Sequence, residues 1–424
     1  MKPEFDPDPI RKIWTPLTLF LLQMKYICFC IVGLFCFCIN NDAQHISYTI
    51  SLEKEIDNFK PADLKEIGST VSYIPLETSE NCLLKDKLKI VITDTHIAVC
   101  DWDKVLLFDT SGRFITEIGK RGQGPEEYIQ LDDFCFSLDG RSIYLSTAYD
   151  NKFKEYDVEG KFLRSFTLES GYSRVLPLKD DLFVFHPANT PSLFPQQPDD
   201  SQYSLVIIDS QNNIKKMYKN HHKLAPTTRF VMYAGLDAFY FHKGNMRFKE
   251  HGTKADTLFT VTEKELIPYA LFHMGRKQMP ADISVPASAR RADNTIDKDK
   301  ALRPYAGKYF VCSARDDNDN LYFVLSDWRK YYFGYYNKHS NTAKVTGEER
   351  FRNNIDGGLP FFPKYVYNDD VLVDCVNAFE LREHVLSGNA AEMKKLYGKN
   401  YDDLVNLVNS LEEDANPIVI MVKK

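Results

Sequence analysis

Leu107-Phe108-Asp109-Thr110-Ser111-Gly112-Arg113-Phe114 is answered 48 residues later by Glu155-Tyr156-Asp157-Val158-Glu159-Gly160-Lys161-Phe162. Both stretches set an aromatic before an Asp, then a turn Gly, a basic residue and a second aromatic. A third version, Ile207-Ile208-Asp209-Ser210-Gln211-Asn212-Asn213-Ile214, follows after 52 residues with Asn212 in the glycine's place. Asn is the best substitute for Gly where the backbone needs positive φ, so the exchange keeps the geometry. Each copy reads as strand, tight turn, strand. The Asp accepts from backbone amides of the turn, the Gly or Asn relieves strain there, and the flanking apolar residues pair as a hairpin.

Working outward, two more strands precede each of the first two copies: 89–93 and 96–100 before one, 133–137 and 142–146 before the other, the latter pair joined by the turn 138–141. Four strands in about fifty residues is one blade of a propeller, and self-similarity at a fixed period is the mark of such a repeat. Residues 256–261 leading into 265–269, and 320–325 with 331–336 and 342–345, read as later, more diverged copies. The span 71–379 at this spacing gives about six blades, with five and seven as the neighbouring counts. The expected fold is therefore all-β, a six-bladed β-propeller of four-stranded antiparallel blades. Polar residues 275–308 form a long excursion between strands. Met393, Leu396, Leu404, Leu407, Val408 and Leu411 step at helical spacing, which predicts a short helical segment near the C-terminus, before a last strand at 416–422. That strand closes the ring with either 46–52 or 72–76.

Composition agrees with strands: 29 Phe and 24 Tyr supply flat rings that pack well on pleated surfaces. A net charge of -6 over 424 residues gives no basic field, which argues against a nucleic-acid partner. At the N-terminus, Lys25, the apolar run 26–39 and the polar exit 40–44 make a secretory-signal pattern, with Met24 as the natural start. Residues 1–44 are accordingly expected to be a targeting segment and 45–424 the propeller. The apolar stretch 14–39 is also long enough to span a bilayer, so membrane attachment through it is the competing reading. Cys36 and Cys38 are candidates for a lipid anchor, but each follows a Phe rather than a small residue. The location expected is outside the cytoplasm: periplasm, outer membrane or cell surface. Cys82, Cys100, Cys135, Cys312 and Cys375 lack CxxC spacing, so no structural zinc is expected, and core packing is their plainest role.

The segment Ile118-Gly119-Lys120-Arg121-Gly122-Gln123-Gly124-Pro125-Glu126-Glu127-Tyr128 resembles the G-x-G-P-x-E-Y signature of the bacterial six-bladed β-propeller family related to NHL repeats. Tyr73-Ile74-Pro75-Leu76-Glu77-Thr78 and Asn416-Pro417-Ile418-Val419 are similar to the opening and ending of its members. The resemblance implies the same fold and an exported lipoprotein habit, and it implies little about activity.

Two groups of residues are candidates for binding. Arg121, Glu126 and Tyr128 surround glycines able to bring backbone amides close to an anion or sugar. The plainer reading is that this segment only crosses between blades, with Tyr128 packed between them. Trp102-Asp103-Lys104, Tyr149-Asp150 with Lys152, and Asp327-Trp328-Arg329 occupy one place in three repeats, just after the second strand. There the expectation is convergence around the axial opening, where aromatic platforms flanked by polar groups suit carbohydrate or peptide recognition; the plainer reading is ordinary polar hairpin tips. His186, His221, His222, His242, His251 and His273 show no metal-ligand spacing, and no elbow, P-loop or dinucleotide fingerprint is present. No cofactor is expected. The leading expectation is a non-catalytic binding module for a glycan, a peptide or an envelope protein. The alternative is a propeller enzyme, a lyase or hydrolase of sugars or peptides using carboxylates and His at the axial funnel.

Overall fold

The structure is a computed structural model and describes residues 46–85, 88–147, 149–168, 174–186, 203–219, 239–250, 256–280, 287–289, 297–348 and 350–424. The expected targeting segment and His221, His222 and His251 lie outside them. Strands β1 (Tyr48–Ser51) and β2 (Thr70–Pro75), with the short helix α1 (Glu53–Asp57) between them, lead into six sheets.

Blade one is β3 (Lys89–Ile92), β4 (His96–Cys100), β5 (Val105–Asp109) and β6 (Phe114–Ile118). Blade two is β7 (Asp133–Phe136), β8 (Ser142–Thr147), β9 (Lys152–Asp157) and β10 (Phe162–Thr167). Blade three is β11 (Arg174–Lys179), β12 (Leu182–His186), β13 (Tyr203–Asp209) and β14 (Ile214–Lys219). Blade four is β15 (Phe239–His242), β16 (Asn245–Lys249), β17 (Thr257–Val261) and β18 (Leu266–His273). After helix α2 (Lys298–Leu302), blade five is β19 (Phe310–Asp316), β20 (Asn320–Ser326), β21 (Tyr331–Asn337) and β22 (Thr342–Thr346). Blade six takes β23 (Tyr365–Tyr367), β24 (Val371–Val376) and β25 (Ile418–Lys423), with β2 as its fourth strand.

Burial explains why the middle strands carry unbroken apolar runs. Val105 to Phe108 of β5 and Ser204 to Ile208 of β13 are buried throughout, because each middle strand lies between two neighbouring blades. The fourth strands β10 and β14 are largely exposed and correspondingly polar. Each adjacent pair of blades shares one apolar cluster. Blades one and two meet at Leu107, Phe134, Leu145 and Tyr156, and blades five and six at Tyr322, Phe362, Leu372 and Ile420. Ring closure is visible where Val99 and Phe108 of blade one pack with Val373 and Val419 of blade six.

Both candidate closing strands are used, in different places. β2 pairs antiparallel with β25 from Thr70↔Lys423 to Pro75↔Ile418, so both ends of the propeller meet in one sheet. β1 instead adds a fifth, parallel strand to blade four, Tyr48↔Ala270 to Ser51↔His273. The helical segment begins earlier than the sequence pattern indicates: α3 (Ala378–Ser387), α4 (Ala390–Tyr397) and α5 (Lys399–Ser410) all lie between β24 and β25. Asn377 caps α3 by accepting from the amides of Phe379 and Glu380, and Leu381, Val385, Leu404 and Val408 pack into the cluster shared by blades five and six.

Candidate functional site

The strand order gives the propeller two unlike ends. The first residues of the innermost strands and the hairpins joining second to third strands lie at one end, here the mouth. The last residues of the innermost strands and the hairpins joining third to fourth strands lie at the other, here the base.

The opening repeat belongs to the base. Asp109 Oδ1 accepts from the amides of Ser111 (2.8 Å) and Arg113 (3.0 Å), Asp157 Oδ1 from Glu159 (3.1 Å) and Lys161 (2.8 Å), and Asp209 Oδ1 from Gln211 (3.0 Å) and Asn213 (2.8 Å). Gly112, Gly160 and Asn212 sit at φ of 89°, 84° and 65°. Those amides, with neighbouring side chains, hold the carboxyls of Asp109 and Asp209 well below the usual range; at Asp109 the Ser111 hydroxyl contributes most, at Asp209 the Lys215 ammonium.

The second repeat belongs to the mouth and is also capped by an Asp, in a shorter turn whose left-handed residue directly follows that Asp. Asp101 Oδ1 accepts from the amides of Asp103 (3.0 Å) and Lys104 (3.1 Å), and Asp327 Oδ1 from Arg329 and Lys330 (3.0 Å each). Trp102 at φ 70° and Trp328 at φ 72°, each the residue after the capping Asp, are the left-handed residues of these turns, whereas at the base that residue is a Gly or Asn three positions after the Asp. A bulky side chain in the left-handed region costs free energy, so it persists only where the surroundings hold it there. In blade two Asn151 takes that conformation at φ 52°, beside a Tyr149 that is 70% exposed. Asp150 of that tip accepts from the Thr147 hydroxyl at 2.5 Å and lies 3.7 Å from Lys152 Nζ.

The innermost strands surround an axial cavity of about 930 Å³. Of the candidate binding residues read from the sequence, Trp102 belongs to its lining; the other tip residues are not among the lining residues described. The Arg174 guanidinium lies 5.2 Å from the Trp102 ring, and its Nη1 donates to the Asp132 carbonyl at 2.9 Å. Trp328 packs instead on Phe310, ring centroids 4.2 Å apart, behind the lining residues Cys312 and Tyr331. Arg329 is exposed.

The glycine-rich crossing is tied into the scaffold. Tyr128 is wholly buried and donates to the Asp103 carbonyl at 3.0 Å, while burial pushes its hydroxyl pKa up. Arg121 Nη1 is 3.7 Å from Asp103 Oδ1, and Lys85 also pairs with Asp103. Blade two holds the crossing from below: buried Lys154 donates to the Pro125 carbonyl at 2.9 Å and Tyr156 to the Glu126 carbonyl at 2.6 Å. The Glu127 carboxylate accepts from the Gly124 amide at 2.9 Å and fills the space where a Cβ on Gly122 would lie.

Sequence reasoning missed the charged residues that line the mouth. Lys89, the first residue of β3, donates to Asp133 Oδ1 (2.5 Å), the first residue of β7, whose Oδ2 accepts from the Val175 amide (2.9 Å). Arg350 and Lys364 meet the buried Asp374 at 2.7 and 2.9 Å. These residues sit on different blades, so no local spacing joins them. The available signal was a charged residue opening each of the strands β3, β7 and β11 ahead of an apolar run.

The base is a closed polar network. Asp316, fully buried, accepts from Tyr240 (2.8 Å), Tyr269 (2.7 Å) and Lys338 (2.6 Å), and Asp317 accepts from Tyr322 (2.6 Å) and Lys424 (2.7 Å). Burial lowers the pKa of His242 beside them. The first-strand hairpins also interlock, the Lys243 amide donating to Asp369 (2.9 Å) and Tyr367 to Asp94 (2.5 Å). Among the described residues no cluster of His, Cys, Asp or Glu is arranged to hold a metal, and the five cysteines are buried and unpaired with one another. No described helix is long and apolar enough to cross a membrane.

A family model described as "Domain of unknown function (DUF4934)" matches residues 47–423, and the chain belongs to that family. Among solved structures, a Bacteroides fragilis protein whose name gives export as an inference is similar over 89% of this chain and 99% of its own, at 18% identity and a TM-score of 0.65; that likeness is one of fold. A Bacteroides vulgatus member of the DUF4221 family is 11% identical over 66% of this chain and 84% of its own, with a TM-score of 0.43. No curated protein matches the chain.

Proposed function

We propose that this protein is an exported propeller of the cell envelope that works as a binding module, taking a glycan, peptide or protein partner at the mouth of its axial cavity. The carrying observation is Trp102: a large aromatic held at φ 70° beside the Arg174 guanidinium, on the wall of a cavity of about 930 Å³. Strain kept at one side chain is expected where that side chain has a task, and cavities of this size with few polar anchors suit small ligands or segments of larger ones. Export draws support from the leader pattern at residues 25–44 and from the name of the Bacteroides fragilis neighbour. The two carboxylates of the lining, Asp133 and Asp374, are each engaged by cations, which favours binding over acid–base catalysis. The test is a glycan and peptide array probed with the full chain. Ligands retained by the parent are expected to be lost by Trp102→Ala and kept by Tyr149→Ala. Equal retention by Trp102→Ala would remove the mouth from the account.

A further inference from the structure

The charge of the cavity wall departs from that of the whole chain. Its described lining carries Lys89, Arg174, Arg315, Arg350 and Lys364 beside the carboxylates of Asp133 and Asp374, and while Lys89 is matched by Asp133, Arg350 and Lys364 share Asp374. The chain as a whole has a formal charge of -6. A concave wall of one sign with low-dielectric sides focuses its field on the enclosed space.

The arrangement at blade six makes these cations usable. Asp374 is buried and accepts from both Arg350 and Lys364, so one carboxylate faces two cations. The Lys364 side chain is half exposed, whereas the carboxylate is not. A ligand anion can therefore meet Lys364 while Arg350 keeps Asp374 paired, which avoids leaving a buried charge alone. Lys89, Arg174 and Lys364 lie at or just before the starts of innermost strands, hence toward the mouth, and Arg350 joins them there through its contact with Asp374. The same rim presents two aromatic rings, Trp102 and the 54% exposed Tyr331.

From this we infer that the ligand of the mouth is an acidic oligosaccharide, one whose sugar rings carry carboxylate or sulfate groups. The cations meet the anionic groups through charge-assisted hydrogen bonds, and the ring faces of Trp102 and Tyr331 cover the apolar C–H faces of the sugars. The inference rests on the reading of the mouth as a binding site and specifies what that site takes.

Titration calorimetry with the full chain tests it, using tetragalacturonate, a chondroitin-sulfate tetrasaccharide, neutral maltotetraose and hexaglutamate as probes. The carboxylated or the sulfated sugar should bind, which of them distinguishing the source of the anion, and maltotetraose should not. Lys364→Gln should weaken binding about tenfold or more, Lys364→Arg should restore most of it, and added salt should weaken the parent. Equal binding of maltotetraose would overturn the anionic character while leaving the mouth as a binding site. Binding of hexaglutamate alone would overturn the sugar. Acidic-sugar binding untouched by Lys364→Gln and Trp102→Ala would overturn the location, and no binding by any probe would overturn both this inference and the reading beneath it.

Discussion

The two ends of the propeller both cap their hairpins with an Asp but place the left-handed residue differently, three positions after the Asp at the base and directly after it at the mouth. At the base, Asp109, Asp157 and Asp209 cap turns whose left-handed residue is Gly112, Gly160 or Asn212. At the mouth, Asp101 and Asp327 cap turns whose left-handed residue is Trp102 or Trp328. Small residues at positive φ satisfy the backbone alone, whereas tryptophan there needs a reason in its side chain. The polar groups divide the same way. The base consumes its charges in a buried, interlocked network, and the mouth lines a cavity with more cations than carboxylates. One end is built for closure, and the other offers unspent chemistry.

Breaking the base should have the largest effect on stability. Asp316→Ala leaves the buried Lys338 ammonium without its carboxylate and is expected to cost about 3–5 kcal/mol in urea unfolding. Ligand affinity of the folded fraction should stay unchanged; a loss of affinity at full folding would join the two ends functionally. Gly112→Ala comes next. Its Cβ would lie 2.2 Å from the Pro75 carbonyl oxygen on the closing strand at φ 89°, with an expected cost of about 2–4 kcal/mol.

Trp102→Gly reverses the pattern and sharpens the contrast. Relief of left-handed strain, about 1–3 kcal/mol, opposes the lost packing of a partly buried ring, so unfolding free energy should move by less than about 1 kcal/mol while ligand binding disappears. A large stability loss with binding intact would make Trp102 a packing residue only.

An acid titration separates the ends by a smaller effect. Burial depresses the pKa of His186, at the mouth end of β12, from 6.5 to about 4, with its Nδ1 against the Ser204 carbonyl at 2.6 Å. The unfolded chain protonates this group first, so stability should fall as pH drops from 6.5 toward 4. The turn carboxylates at the base are depressed below 3.8, so their contribution is lost only on further acidification. Thermal melts across this range should show two descents, and His186→Gln should flatten the first.

The fold was legible because propeller blades repeat local chemistry. The Asp109, Asp157 and Asp209 turns announce themselves through residue types that only a tight turn requires, and the strands before them through apolar runs forced by burial between blades. The destination of β1 was not legible, since an edge strand of four residues fits any open blade until the neighbouring register is known. The start of α3 was hidden because Ala378–Ser387 has only a weak apolar stripe. Trp102 was visible as part of a repeated tip, yet the spacing could not say that it reaches the axis while Tyr149 stands in solvent and Trp328 packs on Phe310. Lys89, Arg174, Arg350 and Lys364 were invisible as a group, since only ring closure brings residues of blades one, three and six together.

Hydrogen exchange read by mass spectrometry, with and without the tightest-binding oligosaccharide of the panel, addresses the division of labour most directly. Slower exchange is expected in segments 88–92, 102–105, 174–178 and 363–367 at the mouth, with 94–96 and 316–320 at the base unchanged. Protection confined to the base segments, or spread over the outer strands with the mouth unaltered, would contradict it.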